Sequence, residues 1–242
     1  MSREHVFLTA EWRNLIMLSY EVDPKLLEGH VPRGTKLDDF GGRILISLVG
    51  FQFLRTRIFG AVPIPFHTNF DEVNLRFYVR RRDASGEMRR GVVFIREIVP
   101  RRVIALVARL AYHENYHRYP MQHRVNADRE GVCAEYRWQV GRQWLGLQAT
   151  AAGEPTMPTD GSMEQFLSEH YWGYSRQRNG ETVEYRVNHP QWRVWPEATG
   201  AFEGDGAAVY GADWGRVLGS RSDSAFVSVG SAVTVFGGKR IS

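Results

Sequence analysis

The stretch FHTNFDEVNLRFYV, residues 66–79, constrains this chain more than any other, because its alternation can only be satisfied by a strand. Val73, Leu75, Phe77 and Val79 fall on one face, and Glu72, Asn74, Arg76 and Tyr78 on the other. In a flat sheet with one wet side the second face is ordinary surface. In a sheet closed on itself the same face lines an interior, where a carboxylate must find partners. Alternation of this kind runs through most of the sequence. With a few short helical stretches it predicts an α+β fold built on a highly curved antiparallel sheet or barrel.

The punctuation divides the chain as follows. NLIMLSYEV (14–22) predicts a strand, followed by a short helix with Asp23 as N-cap and Pro24 at its first position. A hairpin is predicted about Gly41–Gly42, and a second about RDASGE between strands 67–82 and 88–98. Val103, Leu106, Val107 and Leu110 give residues 101–112 helical spacing. Strands at 121–129, 132–140 and 142–150 read as a meander, and Ser162 with Gln165 makes a capping box for a helix. Strands near 182–188 and 191–195, a helix near 212–218 and a final hairpin, 224–230 with 232–236, complete the reading.

Composition bounds the chemistry. The one cysteine, Cys133, rules out an intramolecular disulfide and gives no sign of an oxidising compartment. MSREHVFLTAEW is too charged for a signal peptide, and no apolar run approaches the ~18 residues of a membrane span. The expectation is a soluble cytoplasmic protein. Of 31 basic residues only Lys25, Lys36 and Lys239 are lysines. Arginine cannot serve as an amine nucleophile, so any imine chemistry must use one of those three.

Arg80, Arg81, Arg82, Arg89 and Arg90 bracket one turn, but Asp83 and Glu87 dilute the patch. A solvated hairpin tip, and no nucleic-acid partner, is the expectation. HENYH (113–117) spells H-E-x-x-H, which on a helix would give zinc ligands His113 and His117, with Glu114 as general base. Pro120, Asn115 and Tyr116 all oppose helix there, so a metal is expected only under an alternative zinc-hydrolase reading. His189 and Trp192 flank a proline, as a shaped loop end or a packed core histidine.

The segments WRNLIMLSYEVDPKLLEGHVPRG, ILISLVGFQFL, NFDEVNLRFYV and VIALVARLAYHENYHRYPM together resemble the YqjF-like bacterial family, domain of unknown function 2071. That family is similar, more distantly, to acetoacetate decarboxylases. The resemblance implies one domain over residues 1–242, in which a curved antiparallel sheet forms a cone or double barrel around an apolar cavity. It also admits a homo-oligomer and implies no cofactor. It places Glu72 and Arg13 at the cavity, Asn115 where the reactive lysine of a decarboxylase stands, and Ser47 near a position that is acidic there. A Schiff base needs an amine, which Asn115 lacks. The expectation is therefore a cavity that binds a small carbonyl or carboxylate compound without imine decarboxylation. Glu72 is the acid/base candidate, Arg13 its charge partner, Asn115 and Tyr116 the donors to a carbonyl oxygen, and Asn74, Arg76 and Arg109 further ligand-binding side chains. A non-catalytic structural module is the remaining alternative.

Overall fold

The computed structural model describes residues 5–60, 62–63, 68–100 and 116–241. The helix expected at 101–112 lies outside them, as do His113, Glu114, Asn115 and Arg109. In chain order the first strands are β1 (Val6–Glu21), β2 (Lys36–Leu37), β3 (Leu45–Ile58), β4 (Val62–Pro63), β5 (Phe70–Arg82) and β6 (Met88–Val99). There follow β7 (Tyr116–Arg118), β8 (Met121–Ala127), β9 (Gly131–Val140), β10 (Gln143–Ala152) and helix α1 (Met163–Ser168). The rest are β11 (Trp172–Arg176), β12 (Thr182–Asn188), β13 (Val194–Trp195), β14 (Thr199–Glu203), α2 (Ala207–Tyr210), α3 (Ala212–Leu218), β15 (Ser224–Phe236) and β16 (Lys239–Ile241).

The large sheet runs β15–β1–β3–β5–β6–β11–β12, and β12 pairs back onto β15 through Val187 with Val235 and Asn188 with Thr234. The path is a ring, and a ring has an inside. A four-stranded sheet, β14–β10–β9–β8, covers part of its outer surface. Between them lies a core of Ile16, Leu18, Leu48, Leu75 and Phe77 from the ring against Tyr136, Trp138 and Leu147 from the covering sheet, joined by Tyr210 and Trp214 of α2 and α3. This layer buries one face of β5. The other face turns inward, which is why β5 is buried at every residue from Phe70 to Val79.

The expected elements are largely present, with informative exceptions. Asp23 accepts from the Lys25 N–H at 2.9 Å and caps a 3-10 turn, and Ser162 caps α1 by accepting from Gln165 N–H at 3.2 Å. Gly41–Gly42 does make a tight turn, closed by a bridge between Phe40 and Arg43. Its arms then part, because β2 pairs with β5 while β3 lies between β1 and β5. The expected C-terminal hairpin is instead the single strand β15, paired with β1 from Phe236 back to Ser224. Gly230, at φ 75°, is absorbed inside that strand as a local kink.

Candidate functional site

The inside of the ring is a cavity with about 120 Å³ open to the centre of a water-sized molecule. One water needs ~10–15 Å³ on that measure, and an engineered apolar cavity of about 150 Å³ takes up benzene, so there is room here for a small organic molecule. Every strand of the ring contributes to the wall. Trp12 comes from β1, Phe51 and Phe53 from β3, Phe94 from β6, Trp172 from β11, Tyr185 from β12 and Val235 from β15. The wall is mostly aromatic and aliphatic, which excludes water and sharpens whatever polar contacts remain.

Those contacts cluster on β5, where alternation turns Glu72, Asn74 and Arg76 inward together. All three are buried, and Asn74 Nδ2 donates to Glu72 Oε1 at 3.0 Å. Tyr116 enters the cavity from β7, which pairs parallel to β6, and its hydroxyl donates to Glu72 Oε2 at 3.5 Å. Arg76 Nη2 donates to the Leu167 carbonyl of α1 at 3.3 Å and lies 3.8 Å from Met17 Sδ. Tyr78 continues the same face, but its hydroxyl is 2.6 Å from Ser47 Oγ, which is 2.7 Å from Ser19 Oγ. Ser47, the position expected to be acidic in a decarboxylase, is therefore part of a buried hydroxyl chain.

Arg13 does not join the cluster. Its guanidinium binds Glu11 at 2.8 Å on the outside of the ring, and Glu11 also pairs with Arg55. The hydrogen bond from Arg13, opposed by partial burial, holds the Glu11 carboxyl below its ordinary range. The reason is a phase change in β1. Leu8, Ala10 and Trp12 pack with the inner cluster, and beyond Asn14, at φ 54°, the inward set becomes Leu15 and Met17. Arg13 precedes that change on the outward set.

Three residues that the sequence did not single out also line the cavity or support it. Glu97 of β6 faces inward beside Asn74, its register partner. The register of β5 with β6 shifts between Leu75 and Arg76, so uninterrupted counting from the turn would put Arg96 there instead. His170, just beyond α1, lines the cavity and lies 3.3 Å by Nε2 from Asp38 Oδ2. Asp38 in turn takes Arg90 Nε at 2.7 Å. Nothing in SEHYW separates a cavity histidine from a surface one. His189, read as a packed histidine or loop end, is buried against Trp192, ring centroids 4.3 Å apart, and also faces the cavity.

Tyr116–Arg118 is strand, and His117 is the register partner of Ile98, so His117 does not lie on a helix as the H-E-x-x-H zinc reading requires. Among the described residues no group of His, Cys, Asp and Glu is placed to hold a metal ion. The arginine hairpin is solvated at its tip, where Arg80, Arg82 and residues 84–88 are exposed, but two of its arginines turn to a buried partner. Arg81 and Arg89 pair with the buried Glu184 at 3.2 and 2.6 Å, and Arg89 lies over the Trp172 ring at 4.1 Å. Lys25, Lys36 and Lys239 are all exposed and none lines the cavity. No helix among the described residues is long and apolar enough to cross a membrane.

The sequence profile of DUF2071, described as an uncharacterized conserved protein, matches residues 9–232. The chain belongs to the DUF2071 family. It is 25% identical over 179 residues, 74% of this chain and 72% of the relative, to the uncharacterized protein YqjF of Bacillus subtilis (strain 168). Its fold is similar to that of acetoacetate decarboxylase from Legionella pneumophila, with TM-score 0.67, 14% identity, and coverage of 98% of this chain and 87% of that one. An acetoacetate decarboxylase-like enzyme from Sphingomonas wittichii RW1 gives TM-score 0.64 at 15% identity, covering 97% and 92%. The enduracididine biosynthesis enzyme MppR complexed with pyruvate gives 0.68 at 14%, covering 97% and 90%. DUF2071 thus has here the acetoacetate decarboxylase-like fold, a large curved sheet closed into a ring.

Proposed function

We propose that the ring cavity binds a small carbonyl or carboxylate compound and handles it without a covalent imine. The observation that carries this reading is the cluster Glu72, Asn74, Arg76 and Tyr116, buried together in a mostly apolar cavity that no lysine reaches. Arg76 supplies the positive charge that recognises a carboxylate or carbonyl oxygen, the part first assigned to Arg13. Glu72, its oxygens held by Asn74 and Tyr116, is the group positioned to move a proton. Asn115, adjacent in sequence to Tyr116, and Arg109 supply further donors in this reading. A protein of similar fold, MppR, has been solved complexed with pyruvate, a molecule of this size and chemistry. A residue scaffold shared at 14% identity supports the cavity rather than the reaction.

The test has two arms. Borohydride treatment with pyruvate or acetoacetate, followed by intact-mass measurement, is expected to leave no adduct on any lysine. A thermal-shift panel of small oxo acids, hydroxy acids and aldehydes is expected to raise the melting temperature of wild type, with the rise reduced in Glu72→Gln and abolished in Arg76→Met. A lysine adduct, or a panel in which nothing stabilises wild type, overturns the proposal.

A further inference from the structure

The side chains around the cavity leave some buried polar atoms without a partner among the described residues, and their donor and acceptor character defines the complementary ligand. Arg76 commits Nη2 to Leu167 and Met17, leaving Nε–H unpaired. On one side of it along β5, Asn74 gives Nδ2 to Glu72, which fixes Oδ1 as an unpaired acceptor. His170, just beyond α1, also lines the cavity, and its Nδ1 is unpaired as well. Arg76 and His170 both line the cavity, and they lie 5.7 and 4.7 Å from the Tyr78 centroid, so the two groups are no farther apart than the sum of those distances. Trp12 Nε1 and Thr56 Oγ1 are likewise unpaired at the β1–β3 end, but an indole donates and a hydroxyl serves either way.

The tautomer of His170 follows from its neighbours. Asp38 accepts from Arg90 at 2.7 Å and lies 3.7 Å from Arg80; burial pushes its carboxyl up, but the contacts with His170 and Arg90 outweigh it and hold it low, so it is ionised at neutral pH. Facing a carboxylate, His170 Nε2 carries the proton and Nδ1 keeps its lone pair. Burial drives the imidazole down to about 4, with Arg90 and Arg76 adding to it and Asp38 opposing, so at neutral pH the ring is uncharged. The ring is packed edge-on against Phe166 at 5.0 Å, which fixes its plane.

Arg76, Asn74 and His170 therefore offer a cation and two acceptors to a ligand, alongside the carboxylates of Glu72 and Glu97. A small oxo acid brings only acceptors, and would leave Asn74 Oδ1 and His170 Nδ1 unsatisfied. An acid bearing a hydroxyl satisfies the cation and one of the two acceptors. We infer that the preferred ligand is a small hydroxy acid, its carboxylate on Arg76 Nε and its hydroxyl donating to His170 Nδ1. The inference rests on the proposed binding of a carboxylate compound in this cavity and narrows its class. His170 is then a ligand-contacting residue, and Asp38 the residue that positions it.

Lactate and pyruvate have the same carbon skeleton and charge and differ in the hydroxyl, so calorimetric titration of the full chain with each compares the two directly. Lactate is expected to bind at least about tenfold more tightly, since a site built around a hydroxyl discriminates strongly against the analogue lacking it. His170→Phe keeps the ring packing, removes the acceptor, and is expected to bring the ratio to about twofold or less. In wild-type protein labelled with 15N-histidine, His170 Nδ1 is expected to be unprotonated at neutral pH and to shift when lactate is added. Pyruvate binding as tightly as lactate, or a protonated Nδ1, overturns the inference and leaves the proposed function standing. Failure of both acids and of the wider panel to bind overturns the two together.

Discussion

Gly230 shows how much of this molecule depends on single residues that let the ring close. It sits at φ 75° in mid-strand, opposite Arg13, and a Cβ built there would lie 2.0 Å from the Trp12 carbonyl oxygen. An L side chain at positive φ costs about 1–2 kcal/mol, and the clash with backbone adds to it, so Gly230→Ala is expected to lower unfolding stability by at least about 2 kcal/mol. A urea midpoint within error of wild type would count against this account of β15. Single residues also decide what could be foreseen. The face of Glu72, Asn74 and Arg76 was plain from alternation, because nothing interrupts the period of β5. Arg13 and Glu97 could not be placed by the same rule. Asn14, at φ 54°, resets the phase of β1 just after Arg13, and the register shift beside Leu75 resets that of β6 before Glu97. Neither irregularity carries a glycine or proline to announce it.

At the scale of elements, the closure of the ring on its β6–β11–β12 side is held by one buried carboxylate. Glu184 of β12 is fully buried and takes Arg81 of β5 at 3.2 Å, Arg89 of β6 at 2.6 Å and the Tyr174 hydroxyl of β11 at 3.1 Å. Four strands thus converge on it. Removing one partner of a buried ion pair leaves the others uncompensated, typically at about 3–5 kcal/mol, and Glu184→Gln is expected to cost an amount in that range. Lys239 also approaches Glu184, at 3.5 Å, but is 62% exposed, so Lys239→Ala is expected to cost about 1 kcal/mol or less. Equal losses for the two variants, measured by urea unfolding, would refute the hub. The arginines of this hairpin look like a surface patch in sequence because Glu184 lies some hundred residues away, and pairing across such a distance has no local signature. The same applies to β11. WGYSR is short and begins with a tryptophan and a glycine, and that glycine is there to admit a ring: a Cβ on Gly173 would lie 2.1 Å from Tyr185 Cζ. The meander β8–β9–β10 and the β5–β6 hairpin, by contrast, are local pairings with recognisable turns, and the sequence shows them directly.

For the whole molecule, a closed ring with an apolar lining makes stability depend on pH in a definite direction. His170 and His189 are both buried at the cavity, and both are pushed down to about 4. Burial dominates in each case. At His170 the Asp38 contact opposes it while Arg90 and Arg76 assist, and at His189 the Pro190 carbonyl and Glu169 oppose it while Arg76 assists. In the unfolded chain a histidine titrates near ~6.5. Between that value and about 4 the unfolded state binds protons that the folded state refuses, so acidification favours unfolding. A difference of this size is worth about 3 kcal/mol per histidine once the pH has fallen below the folded value. Asp38, held low in the folded state, adds a loss at still lower pH. Asp71 works the other way, because its burial, against the His123 contact, raises its carboxyl and makes the folded state bind a proton sooner. The histidines titrate first on descending from neutrality, so the urea midpoint is expected to fall steadily from pH 7 to pH 5. In His170→Phe part of that slope should disappear, since His189 and His30, whose imidazole is also held low by burial, remain. A midpoint that is level or rises over this range would mean the imidazoles are hydrated in the folded protein, and with them the cavity.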